Sequence, residues 1–547
     1  MQPKNSFLLS GNIVDLLTET VFKGTVHING GFITSIVKDE SVTESHYILP
    51  GLIDSHIHIE SSMLVPSEFA RLAVVHGTVA TVSDPHEIAN VLGIPGVEFM
   101  IENGKKVPFK FYFGASACVP ATPFETAGSA LGIQELDNLL SRDEIKYLSE
   151  MMNFPGVIRH DDFEMQKLAI ARKYGKPADG HAPGVKGEEA RKYAETGITT
   201  DHECYTMEEA LDKLKYGMKI QIREGSAAKN FEALISLMKG HADKLLFCSD
   251  DKHPDDLVEG HINQMVVRAI NKGFDPITVL KNVILNPITH YGLDVGRLQP
   301  GDPADMIVVD DLKNFTVLQT YINGIKVAEN GKTLIQSVKT GHPNVFHAKP
   351  ITIDQIHVVP QGKKLKVMVA YDGELITGID YAIPKIVNGN VVSDTENDIL
   401  KIVVLNRYHK AEPAVGFIHN FGFKTGAIAS SVAHDSHNVV AVGTDDEHIV
   451  KAINKVVSQK GGISVANSGD VKGLPLPVAG LMSDRDGYQI ARQYHLLDKE
   501  AHRMGSKLRA PFMTLSFMAL LVIPELKLSD KGLFDGNTFS FTPVFKN

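Results

Sequence analysis

The feature that most constrains the fold is a strand–helix–strand unit in residues 176–203. The segment GKPADGHAPG rises as a strand to His181, GEEARKYAETG is a short helix closed by Gly197, and ITTDHE rises as the next strand to His202. This order is the repeat of parallel α/β folds. Because residues 51–295 alternate strand-like and helical runs in the same way, we expect an α/β segment with a parallel sheet there.

Short β-branched runs broken by Gly, Pro, Asn and Asp flank this segment at residues 7–48 and 296–332. Two β pieces that bracket one long α/β segment suggest a composite β-sandwich, which we assign to residues 1–50 plus 296–341. Further along, strand-like runs with glycine turns replace the alternation. We therefore expect a separate C-terminal α+β domain at residues 342–547.

Composition and charge narrow the function before any motif does. Of the 547 residues, 43% are hydrophobic and 22% charged, as in ordinary globular proteins with several cores. The 55 Lys and Arg against 65 Asp and Glu give a formal net charge of −10, which argues against nucleic-acid or anionic-membrane partners. With three scattered cysteines, no signal-peptide pattern and no apolar stretch long enough to span a bilayer, we expect a cytoplasmic protein that binds a small molecule.

Two histidines, His56 and His58, close the apolar run PGLIDSHIH two positions apart. Side chains at i and i+2 of a strand face the same side, so both imidazoles can approach one metal ion from a strand end. Neutral imidazole is a good ligand for divalent zinc, iron or manganese ions. An isolated His-x-His more often marks two hydrogen-bonded or exposed histidines at a loop edge, so the pair alone does not establish a metal site.

Further histidines and carboxylates at predicted strand ends strengthen the metal interpretation. They are Asp84, His86 and Glu87 in SDPHE, His181 in DGH, His202 in TDHE, and Asp250 and Asp251 in CSDD. In a parallel barrel the carboxyl ends of all strands meet at one mouth, where such enzymes keep their chemistry. Residues far apart in the sequence are then expected to become neighbours.

Longer motifs connect these strand ends in a defined order. PGLIDSHIH is followed by single histidines at two later strand ends, by Asp250 and by PGDPADMIVVD, an order similar to that of the amidohydrolase superfamily. Narrower motifs resemble those of the bacterial-type adenine deaminases within this superfamily. They are DPHEIANVLG, EMMNFPGVI, HECYT, CSDDKHP, GAIASSVAHDSHN, LPLPVAGLMSD and VIPELKLSDKGL. The resemblance covers essentially the whole chain. TVSDPHE departs from the family pattern, which has Ala before the Asp, but at no candidate ligand.

The resemblance implies a (β/α)8 metal-dependent hydrolase barrel over residues 51–295 that holds two divalent metal ions, with manganese or iron(II) favoured. The implied ligands are His56, His58 and Asp250 for the first metal, His181 and His202 for the second, and Glu150 between the two. Spacing alone would not select Glu150, and its alternative is a surface glutamate. Locally, Ser141 and Glu144 resemble a capping box that opens a short helix, after which a short strand could carry Glu150.

The implied reaction is the hydrolytic deamination of adenine to hypoxanthine and ammonia, a step of purine salvage. A bound divalent metal lowers the pKa of water from about 15.7 towards 7, and Asp250, with Glu150, is the catalytic candidate that moves the proton. Candidate purine contacts are Asp84, His86, Glu87, Asp251, His434 and His437, and Glu60 and Glu203 also adjoin ligand candidates. Several of these could instead only orient a ligand. A homo-oligomer, with a dimer favoured, is also expected.

Alternatives remain open at this point. His434, Asp435 and His437 form either an internal hydrogen-bonded turn or a lid over a barrel mouth, of their own or a partner subunit, that encloses the purine or holds a further metal. The substrate could be a cyclic amide or another amino-heterocycle, because the fold does not decide the substrate. A catalytically silent metal-binding protein is the third alternative, and the retention of all four strand-end histidines argues against it.

Overall fold

The computed structural model describes residues 6–546, and its centre is a sheet of eight parallel strands hydrogen-bonded in chain order. From first to eighth, these strands are Leu52–Ile57, Thr78–Ser83, Lys110–Ala115, Ile145–Met151, Ala178–Gly180, Ile198–Asp201, Lys219–Arg223 and Leu245–Cys248. Nearly all their side chains are buried, as expected of parallel strands covered on both faces. The expectation of α/β structure with a parallel sheet is confirmed.

Backbone hydrogen bonds join the first strand to the chain that follows the eighth. The Asp250 amide donates to the His56 carbonyl at 2.9 Å, and the His58 amide donates to the Asp250 carbonyl at 3.3 Å. The two ends of the sheet therefore meet beside the residues that carry the candidate chemistry.

Helices occupy most of the connections between these strands. They are Pro66–Ala73, His86–Leu92, Ile94–Gly104, Ile133–Leu140, Phe154–Arg159, Asp162–Lys173, Gly187–Glu195, Met207–Lys215, Phe231–Leu234 and Met238–His241, with Pro254–Glu259, Ile262–Asn271, Pro276–Val283 and Leu285–Tyr291 after the last strand. The helix predicted in GEEARKYAETG is present, and Gly197, with φ +98°, adopts the left-handed conformation that favours glycine after a helix.

The capping box expected at Ser141 and Glu144 is wrong. A helix ends there instead, because Ile133–Leu140 precedes Ser141, whose amide donates to the Asp137 carbonyl at 3.0 Å. The apolar run that follows enters the sheet as the fourth strand, and that strand carries Glu150. The expectation that a strand delivers Glu150 therefore holds without the predicted helix.

A second sheet contains strands from both flanks of the parallel sheet. Its members, in chain order, are Phe7–Asp15, Thr20–Asn29, Phe32–Lys38, Tyr47–Pro50, Met306–Val309, Val317–Ile322, Ile325–Glu329 and Lys332–Thr333. Tyr47–Pro50 joins the two groups, because it pairs in parallel with Phe7–Asp15 and antiparallel with Met306–Val309. The domain bounds assigned from the sequence stay a prediction.

The C-terminal part is built on a nine-stranded mixed sheet. Its strands are Lys364–Ala370, Thr377–Ala382, Ile399–Leu405, Ala414–His419, Ala427–Ser430, Val439–Gly443, Gly462–Asn467, Asp470–Pro475 and Phe545–Lys546. The helices Asp446–Gln459, Gly487–Arg503 and Pro511–Phe517 accompany it, with small sheets formed by Lys385–Val387 and Asn390–Val392 and by Leu526–Ser529, Gly532–Asp535 and Ser540–Phe541.

One continuous hydrophobic cluster links the C-terminal part to the parallel sheet. It contains Leu64 and Leu72 from the chain after the first strand and Met482 and Ile490 from the C-terminal part, all fully buried. Burial of this kind is the main favourable term in folding, so it fixes the C-terminal part against the carboxyl ends of the parallel strands. Among residues 6–546, no helix is long and apolar enough to cross a membrane.

Candidate active site

The ends of the parallel strands bring six of the predicted site residues together. They are His56 in the first strand, His58 directly after it, Glu150 in the fourth, His181 after the fifth, His202 after the sixth and Asp250 after the eighth. None of these residues is more than 4% exposed. Buried charged or polar groups of this density require partners or a bound ion, so the cluster is a site rather than a surface feature.

His56, His58 and Asp250 form the first group of donors. The two Nε2 atoms lie 3.2 Å apart, and Asp250 Oδ1 lies 3.2 Å from His58 Nε2 and 3.6 Å from His56 Nε2. The Nδ1 atom of His58 lies 3.2 Å from the Asp84 carbonyl oxygen, a hydrogen bond that turns Nε2 towards the centre. Asp250 itself has φ +54°, an uncommon conformation for a residue with a Cβ.

Glu150 lies between this group and a second one. Its Oε1 atom is 3.3 Å from His58 Nε2, whereas its Oε2 atom is 2.7 Å from His181 Nδ1 and 3.2 Å from His202 Nε2. The two oxygens of one carboxylate therefore face different sets of histidines. This is the arrangement expected of a carboxylate that bridges two ions.

The donor atoms fit divalent metal ions. Ligand atoms of His56, His58 and Asp250 all lie within 4.8 Å of one another, and so do those of His181, His202 and Glu203. Imidazole nitrogen and carboxylate oxygen are the ligands that zinc, iron and manganese take in proteins. The chain thus carries candidate metal-binding groups of the kind that the sequence predicted.

Arg223, at the end of the seventh strand, was not predicted and holds the carboxylates in place. Its Nη1 donates to Asp250 Oδ2 at 2.6 Å and also contacts Glu203, while Nη2 donates to Glu203 Oε2 at 3.1 Å and to the Tyr205 hydroxyl at 3.0 Å. Burial alone would raise the pKa of Asp250, but the Arg223 guanidinium and the nearby histidines hold this pKa well below its usual range. Asp250 is therefore ionised and oriented.

The second strand supplies a further polar group beside the metal-type donors. The Nδ1 atom of His86 lies 2.8 Å from Asp84 Oδ2 and 3.4 Å from Glu150 Oε1. Burial would lower the pKa of His86, but its acidic neighbours Cys118, Asp84 and Glu87 raise it well above the ordinary value. Asp84 therefore orients His86, and His86 presents a positive edge to Glu150.

The turn of residues 431–438 contacts this group from the C-terminal part of the same chain. The Glu87 carboxylate contacts both His434 Nδ1 and His437 Nε2, and Asp251 Oδ1 lies 3.9 Å from His434 Nε2. Burial opposes a charge on His434, but Glu87 outweighs it and raises the pKa of His434 to about 9. The turn therefore lies at the carboxyl ends of the parallel strands, and its contacts are not confined to the turn itself.

A small cavity of about 20 Å³ lies between these groups. Besides the polar residues, its lining includes Met152 and three apolar side chains of the C-terminal part, Leu375, Phe517 and Leu520, which we call the apolar roof. The Phe517 ring stacks on His434 with centroids 4.5 Å apart. No sequence motif indicates the roof, because apolar residues carry no chemical motif and only the fold brings them to the cavity.

Comparison with known proteins defines first the class and then the family. Residues 47–327 match the Amidohydrolase family, and residues 374–540 match the Adenine deaminase C-terminal domain. The adenine deaminase of Methanosarcina mazei is 53% identical over 548 residues, 98% of this chain and 99% of the relative. That of Sulfurovum sp. is 55% identical over 97% of this chain and 98% of the relative, and that of Parabacteroides distasonis is 45% identical over all of both. The chain belongs to the amidohydrolase family and, within it, to the adenine deaminases. The resemblance seen in the sequence motifs is confirmed.

Proposed function

We propose that this chain hydrolyses adenine to hypoxanthine and ammonia at a centre of two divalent metal ions in a (β/α)8 barrel. The observation that carries the proposal is the position of Glu150, whose two carboxylate oxygens face separate sets of histidines. The hydrogen bonds between Asp250 and the first strand support closure of the eight strands into a barrel. Relatives named adenine deaminase over the full chain support the substrate.

In this proposal each metal has its own protein ligands. His56, His58 and Asp250 would hold one ion, His181 and His202 would hold the other, and Glu150 would be shared between them, with manganese or iron(II) as the favoured metal. When bound, the metals supply Lewis acidity, which makes water a competent nucleophile near neutral pH. Arg223 keeps Asp250 oriented through Oδ2 at 2.6 Å, which leaves Oδ1 directed into the site.

Asp250 moves the proton during the reaction. Water adds to C6 of the purine, and Asp250 Oδ1 accepts the proton that the water loses. The proton then passes to the purine ring or to the exocyclic nitrogen. Where it passes to ring N1, the second proton of the water, now on the C6 oxygen, passes to the exocyclic nitrogen. The C6–N bond then breaks, and ammonia leaves. The products are hypoxanthine and ammonia, and Asp250 returns to its starting state.

The purine is bound by the polar residues around the cavity and enclosed by the C-terminal part. We assign the polar contacts to His86, Glu87, Asp251 and His434, which line the cavity. Asp84 and His437, also expected to contact the purine, do not line it and contact His86 and Glu87 instead. The contact of Glu87 with His434 and His437 supports a lid supplied by the same chain. Enclosure excludes water and adds the specificity that a shared metal centre cannot provide. We further propose a cytoplasmic homo-oligomer, with a dimer favoured, on the sequence expectations alone.

A substrate panel tests the proposed function. Protein loaded separately with manganese, iron(II) and zinc is given adenine, cytosine as another amino-heterocycle, and hydantoin as a cyclic amide, and ammonia release and ring opening are measured. We expect ammonia and hypoxanthine in equal amounts from adenine, with the other compounds turned over at least about a hundredfold more slowly. Turnover of hydantoin or cytosine without adenine would replace the proposed substrate, and no turnover of any compound would contradict an enzymatic role.

A further inference from the structure

The apolar roof comes from segments that are far apart in the sequence. Leu375 precedes the strand Thr377–Ala382, whereas Phe517 is the last residue of the helix Pro511–Phe517. Both side chains line the cavity together with the candidate metal ligands. The relative position of Leu375 and Phe517 sets the height of the space above those ligands. A residue that fixes this position therefore controls how a flat purine ring fits.

The side chain of Lys527 connects these two segments. It belongs to the strand Leu526–Ser529 and is fully buried. Its Nζ donates to the Leu375 carbonyl at 2.6 Å and to the Phe517 carbonyl at 3.0 Å. One side chain therefore holds the backbone of both roof segments.

The surroundings of Lys527 are unusual for a lysine. Within residues 6–546, no carboxylate forms an ion pair with it, and burial lowers its pKa to about 7. Placing an amine in such an environment is unfavourable unless its donors are satisfied. The Leu375 and Phe517 carbonyls accept its hydrogen bonds. These two bonds fix the position of the Lys527 amine and also the spacing between the two roof segments.

Other hydrogen bonds attach the same strand to the same two segments. Thr377 Oγ1 donates to the Leu526 carbonyl at 2.7 Å, and the Leu528 amide donates to the Met518 carbonyl at 3.0 Å. Lys527 lies between these two attachments and is the side chain that contacts both segments. We propose that Lys527 is a positioning residue that sets the apolar roof and thereby the fit of adenine, an inference that rests on the proposed function.

The test replaces Lys527 with methionine, which keeps the length of the side chain and removes both hydrogen bonds. We expect Lys527→Met to raise KM for adenine at least about tenfold, because misplacement of about 1 Å in a binding site weakens productive binding strongly. The metal content should stay at the wild-type value and kcat should change less than about threefold. Adenine binding to the metal-loaded protein, measured by calorimetry, should weaken in parallel.

Lys401→Met is the matched control. Lys401 is also fully buried in the C-terminal part, where its Nζ donates to the Ile356 carbonyl at 3.0 Å and to Asp446 Oδ1 at 2.5 Å, and it does not line the cavity. It should lose thermal stability but keep the wild-type KM. If Lys527→Met does not fold, Lys527→Gln, which retains a shorter donor, takes its place.

A double-mutant cycle with Phe517→Ala separates a roof effect from a general one. If Lys527 acts through the roof, its replacement should raise KM much less in the Phe517→Ala background than in the wild type. An equal rise in both backgrounds, or a wild-type KM in Lys527→Met, would overturn the inference. If the wild type binds adenine but releases no ammonia, the proposed function is contradicted. The role of Lys527 is then decided by calorimetry, from the affinities of the wild type and Lys527→Met for adenine. No binding of adenine by the wild type would contradict both.

Discussion

Asp250→Asn is expected to lower kcat for adenine by about 10²- to 10⁴-fold, the usual contribution of a positioned acid or base. Asparagine keeps the shape of the side chain and an oxygen that can still approach a metal, but it cannot take up and release a proton near neutral pH. Because the purine contacts are untouched, KM should change less than about threefold. Steady-state kinetics at saturating and limiting adenine, with metal content measured on the same samples, check this result.

The exposed Asp243, before the eighth strand, provides the control for the same chemical change. Asp243→Asn should keep the wild-type kcat and KM. If Asp250→Asn loses activity only through KM, or only because its metal is gone, then Asp250 is a ligand and not the group that moves the proton.

His58→Ala is expected to remove metal and nearly all turnover while the fold persists. His58 Nε2 lies 3.3 Å from Glu150 Oε1 and 3.2 Å from Asp250 Oδ1, so its loss affects both the first group and the bridge. Changes that merely disturb the support of a ligand weaken metal binding about 10- to 100-fold, and loss of a ligand should exceed this. His56→Ala should behave in the same way. Metal-to-protein ratios after dialysis, read beside circular dichroism, measure the effect.

His290→Ala is the matched control for the histidine variants. His290 is partly buried at the opposite end of the strands, where it contacts Thr199 Oγ1 at 3.2 Å and Lys219 Nζ at 2.8 Å. It should keep its metal and its activity. Full activity with an unchanged metal-to-protein ratio in both His56→Ala and His58→Ala would show that these two histidines are not metal ligands.

The sequence predicted those parts of the site that follow from local periodicity and parallel strands. His56 and His58 face one side because they are two positions apart, and His181 and His202 stand at strand ends in a legible strand–helix–strand unit. Glu150 was different, because nothing in its spacing separates it from a surface glutamate, and only the family resemblance selected it. The capping box assigned to Ser141 failed because an apolar run after it entered the sheet.

Other residues could not be predicted because their role depends on long-range packing. Arg223 ends the seventh strand, so the strand-end rule would have found it had cations been considered beside histidines and carboxylates. Leu375, Phe517 and Lys527 meet only after the C-terminal part folds against the sheet, and neither their types nor their spacing indicates that contact. The sequence could place His434 and His437 in a polar turn, but could not decide whether that turn contacts the carboxyl ends of the parallel strands.

A metal titration shows whether two metal ions, held on either side of one shared carboxylate, support adenine hydrolysis. Metal-free protein receives increasing manganese, and ammonia release from adenine is measured against the metal bound per chain. We expect no activity without metal, a rise to a plateau at two equivalents per chain, and hypoxanthine equal to the ammonia formed. Full activity at one equivalent, or turnover that persists without metal, would contradict the proposed two-metal centre.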